Sequence, residues 1–145
     1  MRLALFPGSF DPFTKGHADI VRRALGLFDE VVIAVGYNEQ KRGWLPVEER
    51  VETIRRLYSD EPRVRVESYS GLTVDFAKEQ GAIALVRGVR TTADFEYEMQ
   101  MADVNRRLTG IETILLPATP ELASISSTVA REIAHFGRDI SAFLP

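Results

Sequence analysis

Short apolar runs and amphipathic stretches alternate along this chain from one end to the other. Arg2-Leu3-Ala4-Leu5-Phe6, Val31-Val32-Ile33-Ala34-Val35-Gly36, Ile83-Ala84-Leu85-Val86 and Glu112-Thr113-Ile114-Leu115-Leu116 read as strands, the last stopped by Pro117. Val64-Arg65-Val66-Glu67 alternates instead, as a strand with one wet face or a place at a sheet edge would. Between the strands the apolar spacing changes to three and four. Ile20, Val21, Ala24, Leu25, Leu27 and Phe28 predict a first helix. Val47, Val51, Ile54, Leu57 and Tyr58 predict a second, opening at Pro46, which suits a first turn. Leu72 to Ala77 opens a short third helix ending at Gly81. A long fourth runs from about Thr92 to Leu108, with Phe95, Met99, Ala102 and Leu108 among its apolar positions. The fifth starts near Ser126 and ends at Gly137, with Val129, Ile133 and Phe136 on one side, and the tail from Asp139 to Pro145 has room for one more turn. Strands that are apolar throughout, each followed by a helix, imply a parallel sheet covered on both faces. Right-handed crossovers then give an α/β, doubly wound, Rossmann-like sheet of about five strands.

Composition narrows the function more than the fold. At 145 residues the chain is one domain, 1–145, large enough for a full core. The net charge of −3 argues against a general nucleic-acid binder, while the 18 Lys and Arg leave room for a local basic site. The absence of cysteine excludes disulfides, thiol catalysis and Cys-ligated metal, and two histidines, His17 and His135, are too few for a histidine-rich metal site. No apolar run approaches a membrane span, and because the chain enters a strand at once no signal peptide is expected. A cytoplasmic protein without a membrane partner is expected.

The stretch around which the rest is arranged is Pro7-Gly8-Ser9-Phe10-Asp11-Pro12-Phe13-Thr14-Lys15-Gly16-His17. Strand, Pro- and Gly-broken loop, then helix is a recurrent phosphate cradle: amide N–H groups and the helix dipole favour an anion there, and glycines admit it close to the backbone. The same stretch also reads as a plain turn, and it matches neither the dinucleotide G-x-G-x-x-G pattern nor a Walker loop. His17, in the first helical turn, can reach the same anion.

In open α/β sheets, ligands lie outside the carboxyl ends of the strands, and three further segments fall there. Lys41 and Arg42 follow the second strand. Arg87-Gly88-Val89-Arg90 follows the fourth, where paired arginines suit phosphate oxygens or are simply exposed beside a turn. Ser124-Ile125-Ser126-Ser127-Thr128 precedes the fifth helix. Capping accounts for one or two of those hydroxyls; with Arg131 one turn in, the four together predict a second anion site. Asp94, Glu96 and Glu98 open the long helix as ordinary dipole partners, with Glu98 kept as a ligand candidate. Trp44 and Phe10 read as buried or stacking groups, and His135 as a residue suited to a helix C-terminus. Phosphate cradles without an acidic metal cluster, a Ser-His-Asp set or a cysteine suit nucleotidyl transfer. An already ionised phosphate oxygen needs no general base there, only positioning and donors aimed at developing charge.

These residues resemble the phosphopantetheine adenylyltransferase family, within the T-x-G-H nucleotidyltransferases, over nearly the whole chain. The matching motifs are PGSFDPFTKGH, Glu48-Glu49-Arg50, RGVRTTADFEYEMQ (Arg87 to Gln100) and SISST (Ser124 to Thr128). The resemblance implies adenylyl transfer from ATP, with Mg2+, to 4′-phosphopantetheine, giving dephospho-coenzyme A and pyrophosphate. It assigns Ser9, Lys41, Thr73 and Arg87 to the acceptor. To ATP it assigns Ser9, Phe10, His17, Gly88, Val89, Arg90, Glu98 and the segment Leu122, Ala123, Ser124, Ile125, Ser126, Ser127 and Thr128. His17, Lys41 and Arg90 are the implied catalytic groups, His17 as transition-state stabiliser. A homohexamer is also implied. Thr73, where a larger apolar residue is common, Gly71, where an acidic one is, and Glu39, Gly43 and Trp44 around Lys41 depart from the family pattern. A sister cytidylyl- or nicotinamide-mononucleotide adenylyltransferase and a nucleotide-binding module without turnover are the rival readings. The RGVR…DFEYEMQ segment argues against the first, His17 and Lys41 against the second.

Overall fold

The computed structural model describes residues 1–145. Five strands and five helices alternate: β1 (Leu3–Gly8), α1 (Lys15–Ala24), β2 (Glu30–Gly36), α2 (Val47–Leu57), β3 (Val64–Tyr69), α3 (Thr73–Gln80), β4 (Ala84–Val89), α4 (Thr92–Thr109), β5 (Glu112–Pro117) and α5 (Ser127–His135). Short 3-10 turns occupy Pro120–Leu122 and Ser141–Phe143, the second within the tail. The sheet is parallel throughout, in the order β3-β2-β1-β4-β5. Side-chain alternation along the strands feeds two cores. Ala4, Phe6, Val31, Ile33 and Val35 pack with Ile20 and Val21 of α1 and Val51 and Ile54 of α2 on one face. On the other, Leu3, Leu5, Val32, Ala34 and Leu85 pack with Val74 and Ala77 of α3. β3 is an edge strand, which explains its alternation.

The chain winds outward from β1 to β3, then crosses β1 to continue with β4 and β5, so the direction of winding reverses between β1 and β4. The two strands separate there. β1 pairs with β2 as far as Gly8 with Val35, but with β4 only at Ala4 with Ala84 and Leu5 with Leu85. Pro7, which has no N–H to give, lies just past the split. A reversal of this kind opens a crevice at the strands' carboxyl ends.

Three features depart from the sequence reading. β4 runs to Val89, so Arg87, Gly88 and Val89 belong to the strand and not to a loop after it. Pairing with β5, Arg87 to Leu115 through Val89 to Pro117, extends it past the apolar run. β1 likewise takes in Pro7 and Gly8. The apolar positions of α4 do not enter the core: Phe95, Met99 and Leu108 are 45%, 53% and 57% exposed, and Glu98 is the helix's only buried residue. No helix is long and apolar enough to cross a membrane.

Candidate active site

α1 begins at Thr14, whose side-chain oxygen accepts from the His17 amide. His17, three residues on, returns a bond: its Nδ1 lies 2.9 Å from the Thr14 backbone nitrogen. This is a capping box with histidine where glutamate or glutamine is usual. A backbone N–H can only donate, so Nδ1 is the acceptor and the neutral ring carries its proton on Nε2, which makes no bond to the protein. The ring packs edge-on to Phe10 at 4.9 Å and beside Phe13 at 5.4 Å between centroids. Burial, then the charges of Arg87 and Arg90, lower its pKa from 6.5 to about 4. His17 is therefore a neutral donor of one hydrogen bond at pH 7.

Around it lies a cavity of about 350 Å3, walled by Gly8, Ser9, Phe10, Gly16, Arg87, Gly88, Arg90, Leu122, Ile125, Ser126, Ser127 and Thr128 among others. A second cavity, of about 450 Å3, reaches the other way along Tyr37, Asn38, Tyr69, Thr73, Met101, Asn105 and Thr113. The two share a wall made of Pro7, Gly8, Ser9, Arg87, Tyr97 and Glu98. Small side chains keep the first one open. A Cβ on Gly88 would come within 3.3 Å of Ile20, and one on Gly8 within 2.9 Å of the Phe10 ring. Phe10 itself holds φ +50, a strained value for a residue with a side chain.

Arg87 is fixed at the shared wall. Its Nε and Nη2 donate to both Glu98 oxygens, at 2.7 and 3.1 Å, and Nη1 donates to the Pro7 carbonyl at 2.6 Å, across the β1–β4 split. Glu98, kept from the sequence as a ligand candidate, thus has its carboxylate on Arg87. Asp94 accepts from the Arg90 amide and lies 3.7 Å from its side chain. Asp19, at the cavity's edge, accepts from Thr119 at 2.7 Å and pairs with Arg22 and Arg23, contacts that hold its carboxyl below the usual range. With Arg23 donating to the Pro117 carbonyl, these bonds tie α1 to the end of β5.

The expected second anion site at α5 is built differently. Ser126 is the N-cap, accepting from the Val129 amide; Ser127 donates to the Pro12 carbonyl at 2.7 Å, and Arg131 to the Asp11 carbonyl at 2.7 Å. Arg131 thus braces the opening loop and is not directed at an anion. Leu122, Ile125, Ser126, Ser127 and Thr128 still face the first cavity, whereas Ala123 and Ser124 do not line it, nor does Val89. Thr73 lines the second cavity with its hydroxyl 2.8 Å from that of Tyr69, which stacks on Phe76. Lys41 is exposed in the loop after β2 and lines neither cavity, although Gly36, Tyr37 and Asn38 just before it line the second.

Two residues that brace the loops beside the site stand in the motifs above but have no role in the sequence reading. Asp11 is 6% exposed and Arg50 5%, both charged and buried. A signal existed for Arg50: it lies three residues after Val47 and four before Ile54, on the buried stripe of α2, where a charge is out of place.

A family model described as cytidylyltransferase-like matches residues 5–133. Fold and site together define a nucleotidyltransferase of that family. The chain is 58% identical to a phosphopantetheine adenylyltransferase of Phocaeicola vulgatus over 100% of this chain and 96% of that protein. It is 57% identical to the one from Bacteroides fragilis (100% and 97%), and 46% to the one from Streptomyces coelicolor (100% and 91%). The chain belongs to the phosphopantetheine adenylyltransferase family. Among solved structures, a bifunctional NMN adenylyltransferase/ADP ribose pyrophosphatase from Francisella tularensis has a TM-score of 0.74 at 16% identity. The alignment covers 99% of this chain and 44% of that one, a likeness of fold.

Proposed function

We propose that this chain transfers the adenylyl group of ATP to 4′-phosphopantetheine, releasing pyrophosphate and forming dephospho-coenzyme A, in cytoplasmic coenzyme A biosynthesis. The observation that carries the reading is the pair of cavities that meet at Gly8, Ser9 and Arg87. A two-substrate transfer needs two pockets whose reacting ends touch. ATP takes the first cavity, against Phe10, His17, Gly88, Arg90 and residues 122–128. The acceptor takes the second, its phosphate at Ser9 and Arg87 with Lys41 closing from the loop, its arm along Thr73 and the partnerless buried hydroxyl of Thr113.

The acceptor phosphate, with its second pKa near 6, is largely a dianion at pH 7. One of its oxygens forms a bond to the α-phosphorus as the bond to the β-phosphate oxygen breaks and pyrophosphate departs with the electron pair. No proton moves, which suits a site whose histidine is held neutral. Nε2–H of His17 and the Arg90 guanidinium donate to the α-phosphate oxygens. Glu98 and the Pro7 carbonyl hold Arg87 so that its charge stands where the two substrates meet.

Magnesium fits only as a passenger of the nucleotide. Asp19, Asp94 and Glu98 each hold an arginine, and no cluster of three or more acidic, His or Cys side chains forms a cage. When bound, the ion would neutralise charge on the triphosphate. The exposed apolar residues of α4, with Tyr97, Met101, Val104 and Leu108 spaced four, three and four along one side, support a homo-oligomer, with the hexamer as our reading.

The test is pyrophosphate release with ATP or CTP against 4′-phosphopantetheine, pantetheine and nicotinamide mononucleotide. Turnover only with ATP and 4′-phosphopantetheine is expected; comparable turnover with unphosphorylated pantetheine overturns the acceptor assignment. Sedimentation at a hexamer's mass checks the assembly.

A further inference from the structure

Glu48-Glu49-Arg50 is a motif that the reaction above leaves unused, and the third of its residues is a buried cation. The Arg50 Nε donates to the Leu45 carbonyl at 3.0 Å, and its Nη1 donates to the Ser9 carbonyl at 2.8 Å and the Gly36 carbonyl at 3.3 Å. Its carboxylate neighbour, Asp11, lies 4.0 Å from Nε and accepts from the Trp44 and Leu45 amides, both at 2.8 Å. Every one of these bonds ends on one of two segments, the opening loop of the first cavity or the 36–45 segment that carries Lys41. Gly43 completes the arrangement. It sits at φ +75, and a Cβ there would stand 2.9 Å from Asp11 Oδ2 and 3.5 Å from Arg50 Nη2.

From this arrangement we infer that Asp11 and Arg50 are positioning residues: they latch the 38–45 loop to the nucleotide loop and so set Lys41 over the acceptor cavity. Lys41 and Arg42 make no side-chain bond of their own; the loop that carries them is held on one side by Glu39, which accepts from the Ser70 hydroxyl at 3.3 Å, and on the other by its far end. At the far end that anchor is the Asp11 carboxylate. A buried ion pair is weak grounds for stability, since apolar groups of the same volume serve as well. Three carbonyl and two amide partners on these two segments are what such a pair supplies and an apolar pair does not. The inference rests on the acceptor reading above.

The test uses Asp11→Asn, Arg50→Lys and Gly43→Ala in the full chain, with two readouts. The first is trypsin cleavage after Lys41 or Arg42, which reports the latch without any chemistry. The second is the KM for 4′-phosphopantetheine beside the dissociation constant for ATP. Expected are faster cleavage at the loop and an acceptor KM raised about 10- to 100-fold, the effect of misplacing a contact by about an ångström, at an ATP affinity within about twofold of wild type. Gly43→Ala leaves both charges in place and carries the test if the charge variants do not fold. If none of the three folds, the residues are structural and the proposal is wrong. Unchanged cleavage and acceptor KM overturn it, as does an equal loss of affinity for ATP and acceptor. Lys41→Ala separates the underlying reading. Wild-type acceptor KM in that variant removes Lys41 from the site and overturns the acceptor role given to it, while faster cleavage in the latch variants would still support the latch itself.

Discussion

Replacing His17 with alanine removes two contributions that the structure separates by atom. Nδ1 holds the Thr14 amide, a cap contact whose loss costs about 1 kcal/mol of stability. Nε2, free of protein bonds, carries the ring proton in a residue that lines the cavity. With the pKa lowered to about 4, only about one ring in a thousand is protonated at pH 7, so what Nε2 offers the α-phosphate is a dipolar N–H and not a cation. A donor whose bond strengthens as charge builds on the α-oxygens raises turnover, whereas one that grips ground and transition state alike only lowers KM. Removing one such donor costs roughly 10²–10³ in kcat, about 2.7–4 kcal/mol. His17→Ala should therefore fold, keep ATP affinity by calorimetry within about threefold, and release pyrophosphate roughly 10²–10³ times more slowly. Raising the pH above 7 should not rescue it, because the acceptor is already ionised. His17→Gln is the control for folding, since glutamine at the third helical position is the usual partner in a capping box. It should recover the melting temperature without recovering wild-type turnover. Loss of ATP affinity at unchanged kcat would make His17 a binding residue and refute the reasoning.

Three further outcomes are expected. Because the folded-state pKa of His17 is depressed, its contribution to stability is fully present above about pH 6.5 and is lost as pH falls towards 4; an imidazole NMR titration in a His135→Gln background should show a midpoint near 4, and one near 6.5 contradicts the buried, arginine-flanked setting. Glu98→Gln removes the carboxylate from a half-exposed Arg87, so a stability loss of about 1–2 kcal/mol and a raised acceptor KM are expected, and wild-type kinetics would deny Arg87 its place between the substrates. Ser126→Ala should cost about 1 kcal/mol as a lost cap with ATP affinity unchanged, whereas Ser127→Ala frees Pro12 and should weaken ATP binding several-fold; equal melting losses with no change in affinity for either would make the whole segment structural.

Most of the architecture lies in local pattern. The apolar runs with helical spacing between them determine strands, helices and a parallel sheet, because a strand buried on both faces admits few polar residues. Thr14 and His17 three apart at a helix start, and glycines at 81 and 110 closing helices in the left-handed region, are likewise choices made over a few residues. What the sequence alone left open depends on partners far apart in the chain. The ends of β1 and β4 are set by pairing and by the split between them, so Arg87 emerges as a strand residue braced by Pro7, 80 positions away. Glu98 and Arg131 read as ligand candidates in isolation, yet Arg87 and the Asp11 carbonyl hold them, since a charge near a cavity bonds to whatever the fold brings within 3 Å. Asp11 and Arg50, 39 positions apart and both buried, become a pair only when β1, β2 and α2 meet. Local propensity determines which element a residue joins; which polar group answers a buried charge is decided by the packing of distant elements, because burial without a partner is too costly to leave unanswered.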